Sequence, residues 1–247
     1  GGSFNMVVLD GLDVVSHYLR AYGYWEIRAP QDMGDLAGST IPQHGTLLDI
    51  GANLGYYSLL FAAHGYDVVA VEPLLQNRRA IEASLCYNPE LRQHIRVVPV
   101  ALGAPEDQSK SCVARSDAGN NGNGRLSCSS SASAVRCGPR EVHCQEVKMK
   151  SLDGLLTELQ LRSVEVVKLD VEAFECNVFR GGQSLFSDFR PRLLQVEGSE
   201  PQVASCLLSE ARRHKYRLGR RLGHDMNMVI VPEEELTVES TGSCRSA

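Results

Sequence analysis

The chain has 247 residues, 43% apolar and 22% charged, enough for one large α/β domain or two small ones and ordinary for a globular fold. A net charge of −5, with no dense basic stretch beyond Arg212-Arg213-His214-Lys215 and Arg217, Arg220 and Arg221, argues against a nucleic-acid partner. No run of about 18 apolar residues occurs, so no membrane span is expected in this segment; no leader is visible, and the chain opens Gly1-Gly2-Ser3 without an initiator Met.

Residues 1–45 read as an N-terminal extension. Val7-Val8-Leu9, Leu12, Val14-Val15 and Leu19 have helical spacing, and the helix is expected to end near Gly23. A Pro- and Gly-containing loop follows. Trp25 is expected to be a packing anchor, and Glu26 beside it could reach a cofactor. Residues 46–232 read as one domain of alternating strands and helices. A strand at 46–50 runs into a glycine turn and a helix over 55–64, stopped by Gly65. Asp67 to Glu72 is a continuous apolar strand, as in a parallel sheet covered on both faces. Pro73 suits the start of the next helix, which runs to about Tyr87. Ile95 to Val100 is a third strand, with Ala101 at its carboxyl end.

Residues 103–143 break the pattern with Asn120-Asn121-Gly122-Asn123-Gly124 and a Ser-rich run. They read as a loop or hairpin too polar to build a core. The segment is long enough to act as a lid, but a tolerated surface insertion is the simpler reading. Glu146 to Lys150 is a short strand, and Ser151 is placed to cap a helix with Asp153 in its first turn. Val164 to Asp170 is the fourth main strand, followed by a helix ending at Gly181-Gly182. Leu193 to Glu197 is the fifth, and Pro201 opens the next helix. Tyr216–Arg220 and Met226–Val231 suit a closing antiparallel pair, and residues 233–247 read as a frayed tail.

The eight cysteines contain no CxxC pair, so a zinc ribbon or thioredoxin-type site is not expected. Cys86, Cys176 and Cys206 lie in helical patterns and read as buried small hydrophobes. Cys112, Cys128, Cys137 and Cys144 share the polar segment and could form two disulfides or stay as thiols; with His143 they make a poor metal set.

In a parallel α/β sheet, ligands bind at the carboxyl ends of the strands. That rule gathers Asp49, Glu72, Ala101, Asp170, Glu172 and Glu197 on one edge. Leu47-Leu48-Asp49-Ile50-Gly51-Ala52-Asn53-Leu54-Gly55 is a strand, a tight turn and a helix start, which aims backbone N–H groups at a nucleotide-like ligand. Gly51 can take φ > 0 and Gly55 lets the helix lie close to the sheet. Glu72, 23 residues beyond Asp49, is placed to accept both ribose hydroxyls of an adenosine. The turn is one glycine short of GxGxxG, and a carboxylate at Asp49 would repel a pyrophosphate. It would suit the cationic ammonium and sulfonium of S-adenosylmethionine. On the other half of the edge, Asp170, Glu172 and Glu197 could act as general base, bind a divalent cation or hold an acceptor amine or hydroxyl. They could equally cap helices or pair with Lys168. The sequence assigns no metal ligands and does not decide whether a metal is present.

Leu48-Asp49-Ile50-Gly51-Ala52-Asn53-Leu54-Gly55-Tyr56-Tyr57-Ser58, Val71-Glu72-Pro73, Val98-Pro99-Val100-Ala101-Leu102 and Val167-Lys168-Leu169-Asp170-Val171-Glu172-Ala173-Phe174-Glu175 together resemble the FkbM family of S-adenosylmethionine-dependent methyltransferases, in order and spacing. The resemblance covers about residues 46–232; the Lys-x-Asp-x-Glu-x-x-Glu stretch is its most discriminating part. It implies a class I Rossmann-like α/β fold, with a central seven-stranded, mostly parallel sheet, its last strand antiparallel, and helices on both faces. It implies methyl transfer, in the best-known members to a hydroxyl of a sugar or polyketide-type molecule, so the expected partner is a small-molecule or glycan acceptor. Asp49, Gly51, Asn53, Gly55, Glu72 and Ala101 would hold the donor; Asp170, assisted by Glu172 or Glu197, would orient or deprotonate the acceptor. The alternatives are an N- or protein-methyltransferase on the same donor site, or a non-catalytic donor-binding or interaction module. Two positions depart from the family's pattern. Ala173 stands where Gly is usual, and Gly198-Ser199 follow Glu197 where a His is common, His224 being a conceivable substitute. Oligomeric state and compartment are not legible.

Overall fold

A computed structural model describes residues 2–11, 13–117, 120–131, 134–138, 144–223 and 226–233, with the side chains of 117 and 121–123 excepted. His143, His224 and the tail from 234 onward lie outside the described residues.

The N-terminal helix is shorter than its apolar spacing suggests. Residues 7–11 and 13 are not helical, and α1 spans Val14–Tyr22. The Asp13 carboxylate accepts from Ser16 N at 2.7 Å, so the chain enters the helix there. Upstream, Val7 N donates to Ser84 Oγ at 2.9 Å and Asn5 N to Asn88 Oδ1 at 2.8 Å, which holds this segment against a later helix. The end at Gly23 is as expected, with φ 77°. A second short helix, α2, covers Pro30–Ala37.

The Rossmann-like core then follows in order: β1 Thr46–Ile50, α3 Tyr56–Ala62, β2 Asp67–Val71, α4 Leu75–Tyr87, β3 Ile95–Val98. Short β4 (Ala101–Leu102) pairs in parallel with β8 (Met149–Lys150). Between them lies a three-stranded antiparallel sheet of β5 (Ser111–Asp117), β6 (Asn120–Ser129) and β7 (Cys144–Val147). The chain closes with α5 Leu152–Leu159, β9 Val166–Leu169, α6 Glu175–Arg180, β10 Leu193–Glu197, α7 Pro201–Arg213, β11 Tyr216–Leu218 and β12 Asn227–Pro232. Ser151 caps α5 as expected, accepting from Gly154 N.

The main sheet has seven strands in the order β11-β12-β10-β9-β1-β2-β3. Only β12 runs against the rest, antiparallel to both β10 and β11. Alternate residues of each strand feed two cores. Leu48, Ile50, Val69, Val71, Val167 and Leu169 pack under α5, α6 and α7; Leu47, Val68, Ala70 and Val166 pack under α2, α3 and α4. Both faces are covered, which is why the strands read as largely apolar runs.

Three polar residues interrupt these runs on one face. Asp49 (β1), Lys168 (β9) and Gln195 (β10) lie side by side in register across three neighbouring strands. All three are buried.

Among its described residues the polar segment forms the expected hairpin, β5 and β6, but the expectation that it builds no core is corrected: with β7 the hairpin makes a sheet with its own small core of Ala101, Cys112 and Met149. Gln145 fastens it to the end of β2, accepting from Leu75 N at 2.8 Å and donating to Pro73 O at 2.9 Å. Disulfides join Cys112 to Cys128 and Cys137 to Cys144. Cys176 and Cys206 are not thiols either, but a third disulfide between α6 and α7, and Cys86 is exposed rather than buried.

Candidate active site

The strand β1 ends in a turn with no room for a side chain at either of its glycines. Gly51 has φ 78°, and a Cβ there would lie 1.8 Å from Asp170 O. Its N–H and that of Ala52 both donate to Val71 O, at 3.0 and 3.1 Å. Gly55 has φ 87° at the start of α3, where a Cβ would lie 2.8 Å from Ile81 Cγ1.

Glu72 fixes this turn from the end of β2. Its Oε2 accepts from Asn53 N at 2.8 Å and its Oε1 from Leu74 N at 2.7 Å. It is 4% exposed, and burial pushes its carboxyl up to about 7 against the pull of those two N–H groups.

Two cavities open at this edge. The first is bounded by the turn (Gly51, Asn53), by Glu72, by Ala101 and Leu102, and by Asp170 and Glu172. Gly124 and Leu126 of β6 complete it, so the antiparallel sheet supplies one wall. The second is bounded by Val14, Trp25, Glu26, Tyr57, Lys168, Asp170, Glu172 and Glu197, among others. Asn53, Asp170 and Glu172 line both. Asn53 Oδ1 is buried with no hydrogen-bond partner, an acceptor left for a ligand's donor.

Of the predicted donor-binding residues, Gly51, Asn53, Glu72 and Ala101 come together in the first cavity, and Asp49 and Gly55 line neither. Asp49 points beneath the turn, 0% exposed, where Ser58 Oγ donates to it at 2.6 Å. Burial raises its carboxyl, partly offset by the Lys168 charge. The predicted acceptor-side residues Asp170, Glu172 and Glu197 share the second cavity. Glu26 also reaches that cavity, on the acceptor side. It has φ 58° and accepts from Tyr57 OH at 2.6 Å and from Asn227 Nδ2 at 2.8 Å.

Behind this wall lies a polar network of which the sequence reading named only the pairing of Lys168 with a site carboxylate. Lys168 Nζ donates to Gly51 O at 2.7 Å and lies 3.3 Å from Asp170 Oδ2. Burial would lower its ammonium, but Asp170, Asp49 and Glu26 outweigh that and hold it above its ordinary value. Gln195 Nε2 donates to Tyr57 OH at 2.8 Å. Burial drives the Tyr57 phenol well up, reinforced by the Glu26 carboxylate, so Tyr57 stays a neutral donor. Glu175, which opens α6, is 0% exposed, and its Oε1 accepts from Val171 N at 2.8 Å. A polar residue in each of three neighbouring apolar strands was the signal available for Lys168 and Gln195. Glu175 stands in the sequence as the last acid of the Lys-x-Asp-x-Glu-x-x-Glu stretch, without a role assigned to it.

Ala173 and Glu172, in the turn between β9 and α6, have φ 72° and 56°. Glycine is usual at the first of these in the family resembled, and the backbone shows why: the site sits in the left-handed region.

Comparison with known proteins places the chain. The profile of the methyltransferase FkbM domain matches residues 49–224. A methyltransferase FkbM from Methylobacillus flagellatus superimposes with a TM-score of 0.53 at 14% identity, over 76% of this chain and 44% of that one. The N-terminal domain of human METTL16 does so with a TM-score of 0.50 at 14% identity, over 90% and 80%. In sequence, the chain is 26% identical over 213 residues to the AMB antimetabolite synthetase AmbE of Pseudomonas aeruginosa. That stretch is 74% of this chain but 10% of AmbE, so the chain spans about a tenth of that relative.

Proposed function

This chain belongs to the FkbM methyltransferase family, and on that premise we propose that it transfers the methyl group of S-adenosylmethionine to a hydroxyl of a small molecule or sugar. The observation that carries the reading is the junction of two unlike cavities at Asn53, Asp170 and Glu172. One has the carboxylate and glycine turn suited to a nucleoside, and the other is lined by carboxylates and amides.

The residues fit the donor. Glu72, with each oxygen already taking one backbone N–H, keeps acceptor capacity for ribose hydroxyls. The unpartnered Asn53 Oδ1 suits an ammonium. S-adenosylmethionine supplies a methyl group already activated on a sulfonium, so the protein's task is mainly position and proton removal. Gly51 leaves room for close approach of a ligand to the backbone. Asp49 contributes from below, through Ser58 and beside Lys168, rather than by contact.

On the acceptor side, Asp170 is the group that orients the hydroxyl and takes its proton, assisted by Glu172 or Glu197. Lys168 holds Asp170 in place. The excess of carboxylates disfavours anionic acceptors and suits neutral polyols or amines.

The test is calorimetric titration of the intact chain with S-adenosylhomocysteine, followed by methyl transfer from labelled donor to sugars, lipids and peptides. Saturable binding lost in Glu72→Ala supports the donor site, and absence of binding to the native chain refutes it. Label on nitrogen or on protein side chains alone would replace the hydroxyl acceptor with the N-methyl reading.

A further inference from the structure

One carboxylate oxygen from each of Asp170, Glu175 and Glu197 lies within 4.8 Å of the others. We propose that these three residues hold a hard divalent cation, of the size of Ca²⁺, in the wall of the second cavity.

The three groups come from separate elements. Asp170 follows β9, Glu175 opens α6 and Glu197 ends β10. The Cys176–Cys206 disulfide ties α6 to α7, the helix that follows β10, and so limits how far the groups can separate.

An independent observation is the state of Glu175. A helix-start acid satisfies its local role with one oxygen, and Glu175 does so through Oε1 and Val171 N. Its Oε2 is buried and has no hydrogen-bond partner, on a residue that is 0% exposed. A carboxylate oxygen taken from water and left unpaired is costly, and a bound cation is one of the few remedies. Protein cations do not supply it. Lys168 is engaged by Asp170 and Gly51 O, and among the described residues no Lys, Arg or His forms an ion pair with Glu175 or Glu197.

The donor set selects the ion. All three ligands are carboxylate oxygens, which favours Mg²⁺, Mn²⁺ or Ca²⁺ over softer metals. Three oxygens bound to one ion can be mutually about 4.5 Å apart around Ca²⁺ at about 2.6 Å, but only about 3.6 Å apart around Mg²⁺ at about 2.1 Å. Spacings within 4.8 Å therefore ask for at most a slight contraction around Ca²⁺ and a larger one around Mg²⁺. Asp170 and Glu197 also line the second cavity, which leaves coordination positions for water or for oxygens of a molecule bound there. That last role, polarising an acceptor hydroxyl, rests on the methyltransferase reading; cation binding itself does not.

The experiment uses the full chain with disulfides intact, stripped with chelator. Mn²⁺ is titrated by the loss of its free electron-spin signal, and Ca²⁺ is added as competitor. One saturable site is expected, displaced by Ca²⁺. Glu175→Gln and Glu197→Gln should each weaken it by about tenfold or more, since even an outer partner commonly contributes that much. Exposed Glu90→Gln should leave it unchanged. Thermal melts establish that each variant folds; should Glu175→Gln fail to fold, Glu197→Gln decides. No saturable Mn²⁺ binding at millimolar concentration, or binding equal in the native chain and the folded variants, overturns the proposal. S-adenosylhomocysteine titrated in parallel reads the donor site separately, so failure of one reading leaves the other standing.

Discussion

Replacing Lys168 with Met should destabilise the fold by about 4 kcal/mol at neutral pH, with the loss shrinking in mild acid. Lys168 is 5% exposed, and its Nζ lies 2.7 Å from Gly51 O and 3.3 Å from Asp170 Oδ2. The strand register sets it beside Asp49, which is 0% exposed. Met keeps the length and the apolar stem, so the perturbation is the charge. Two routes lead to the magnitude. Leaving a carboxylate buried without its partner costs about 3–5 kcal/mol. Alternatively Asp49 takes up a proton, and at pH 7 neutralising a group with a free pKa of about 3.9 costs about 4 kcal/mol.

The second route makes the loss depend on pH. In the variant, the folded-state pKa of Asp49, already above its unfolded value in the native chain through burial, loses the offset from Lys168 and rises further. Stability is therefore retained below the unfolded value and lost as pH rises. At pH 5 the cost is about 1.5 kcal/mol. For a chain of this size, each kcal/mol shifts Tm by about 2–4 °C, so melts should fall by about 8–16 °C at pH 7 and by about 3–6 °C at pH 5. Lys168→Met combined with Asp49→Asn should recover half or more of the neutral-pH loss. A fall under about 3 °C at pH 7, an equal fall at both pH values after the native profile is subtracted, or simple additivity in the double variant would refute the argument.

Three further outcomes follow from the same geometry. Glu72, raised by burial from 4.5 to about 7, favours its neutral form in the fold; its contribution is complete below 4.5 and gone above about 7. That span is worth about 3 kcal/mol, and Glu72→Gln should flatten it in urea melts; affinity of the native chain for S-adenosylhomocysteine should rise through pH 7, and a flat profile would count against a ribose role. Ala173→Gly should raise stability by about 0.5–1 kcal/mol, because relief at φ 72° exceeds the entropy glycine adds to the unfolded chain and the exposed methyl packs on little; a lower Tm would show the turn is not strained there. Replacing Cys112 and Cys128 with Ser removes a 16-residue closure worth about 3 kcal/mol to the hairpin and should weaken S-adenosylhomocysteine binding while far-ultraviolet dichroism stays native, whereas unchanged affinity would deny β6 a part in the donor wall.

Much of the main sheet was legible because burial on both faces leaves a pattern local to each strand. Asp67 to Glu72 and Val164 to Asp170 needed no tertiary information to read as parallel strands, and their ends located Glu72 and Asp170. What escaped was set by long-range geometry. Cys176 and Cys206 sit in helical patterns 30 residues apart, and nothing local tells a buried thiol from a bridge between two helices. The β5–β7 sheet hid behind Ser, Asn and Gly because only Cys112, Met149 and their neighbours form its core, and two disulfides supplement that small apolar signal. Asp49 was rightly placed in sequence, but its side chain follows the parity of Leu47 and turns under α3, away from the cavity that the strand end faces. The helix start at Val14 was obscured because Val7 to Leu9 are apolar for a different reason, as an extended segment against α4.

The division between scaffold and site follows the parity of the strands. Residues of β1, β9 and β10 that face α5, α6 and α7 are wholly apolar, whereas the opposite face carries Asp49, Lys168 and Gln195 in one row. That row buys little stability, since a buried ion pair rarely improves on apolar packing. It does position the edge. Lys168 reaches both the Gly51 carbonyl of the first cavity and the Asp170 carboxylate that lines both cavities. A shift of β9 by one residue would carry Lys168 to the other face and separate the two half-sites. The register of β9 on β1 is thus the point at which the fold and the proposed chemistry depend on the same hydrogen bonds, and substitutions that loosen that pairing should lower turnover before they lower donor affinity.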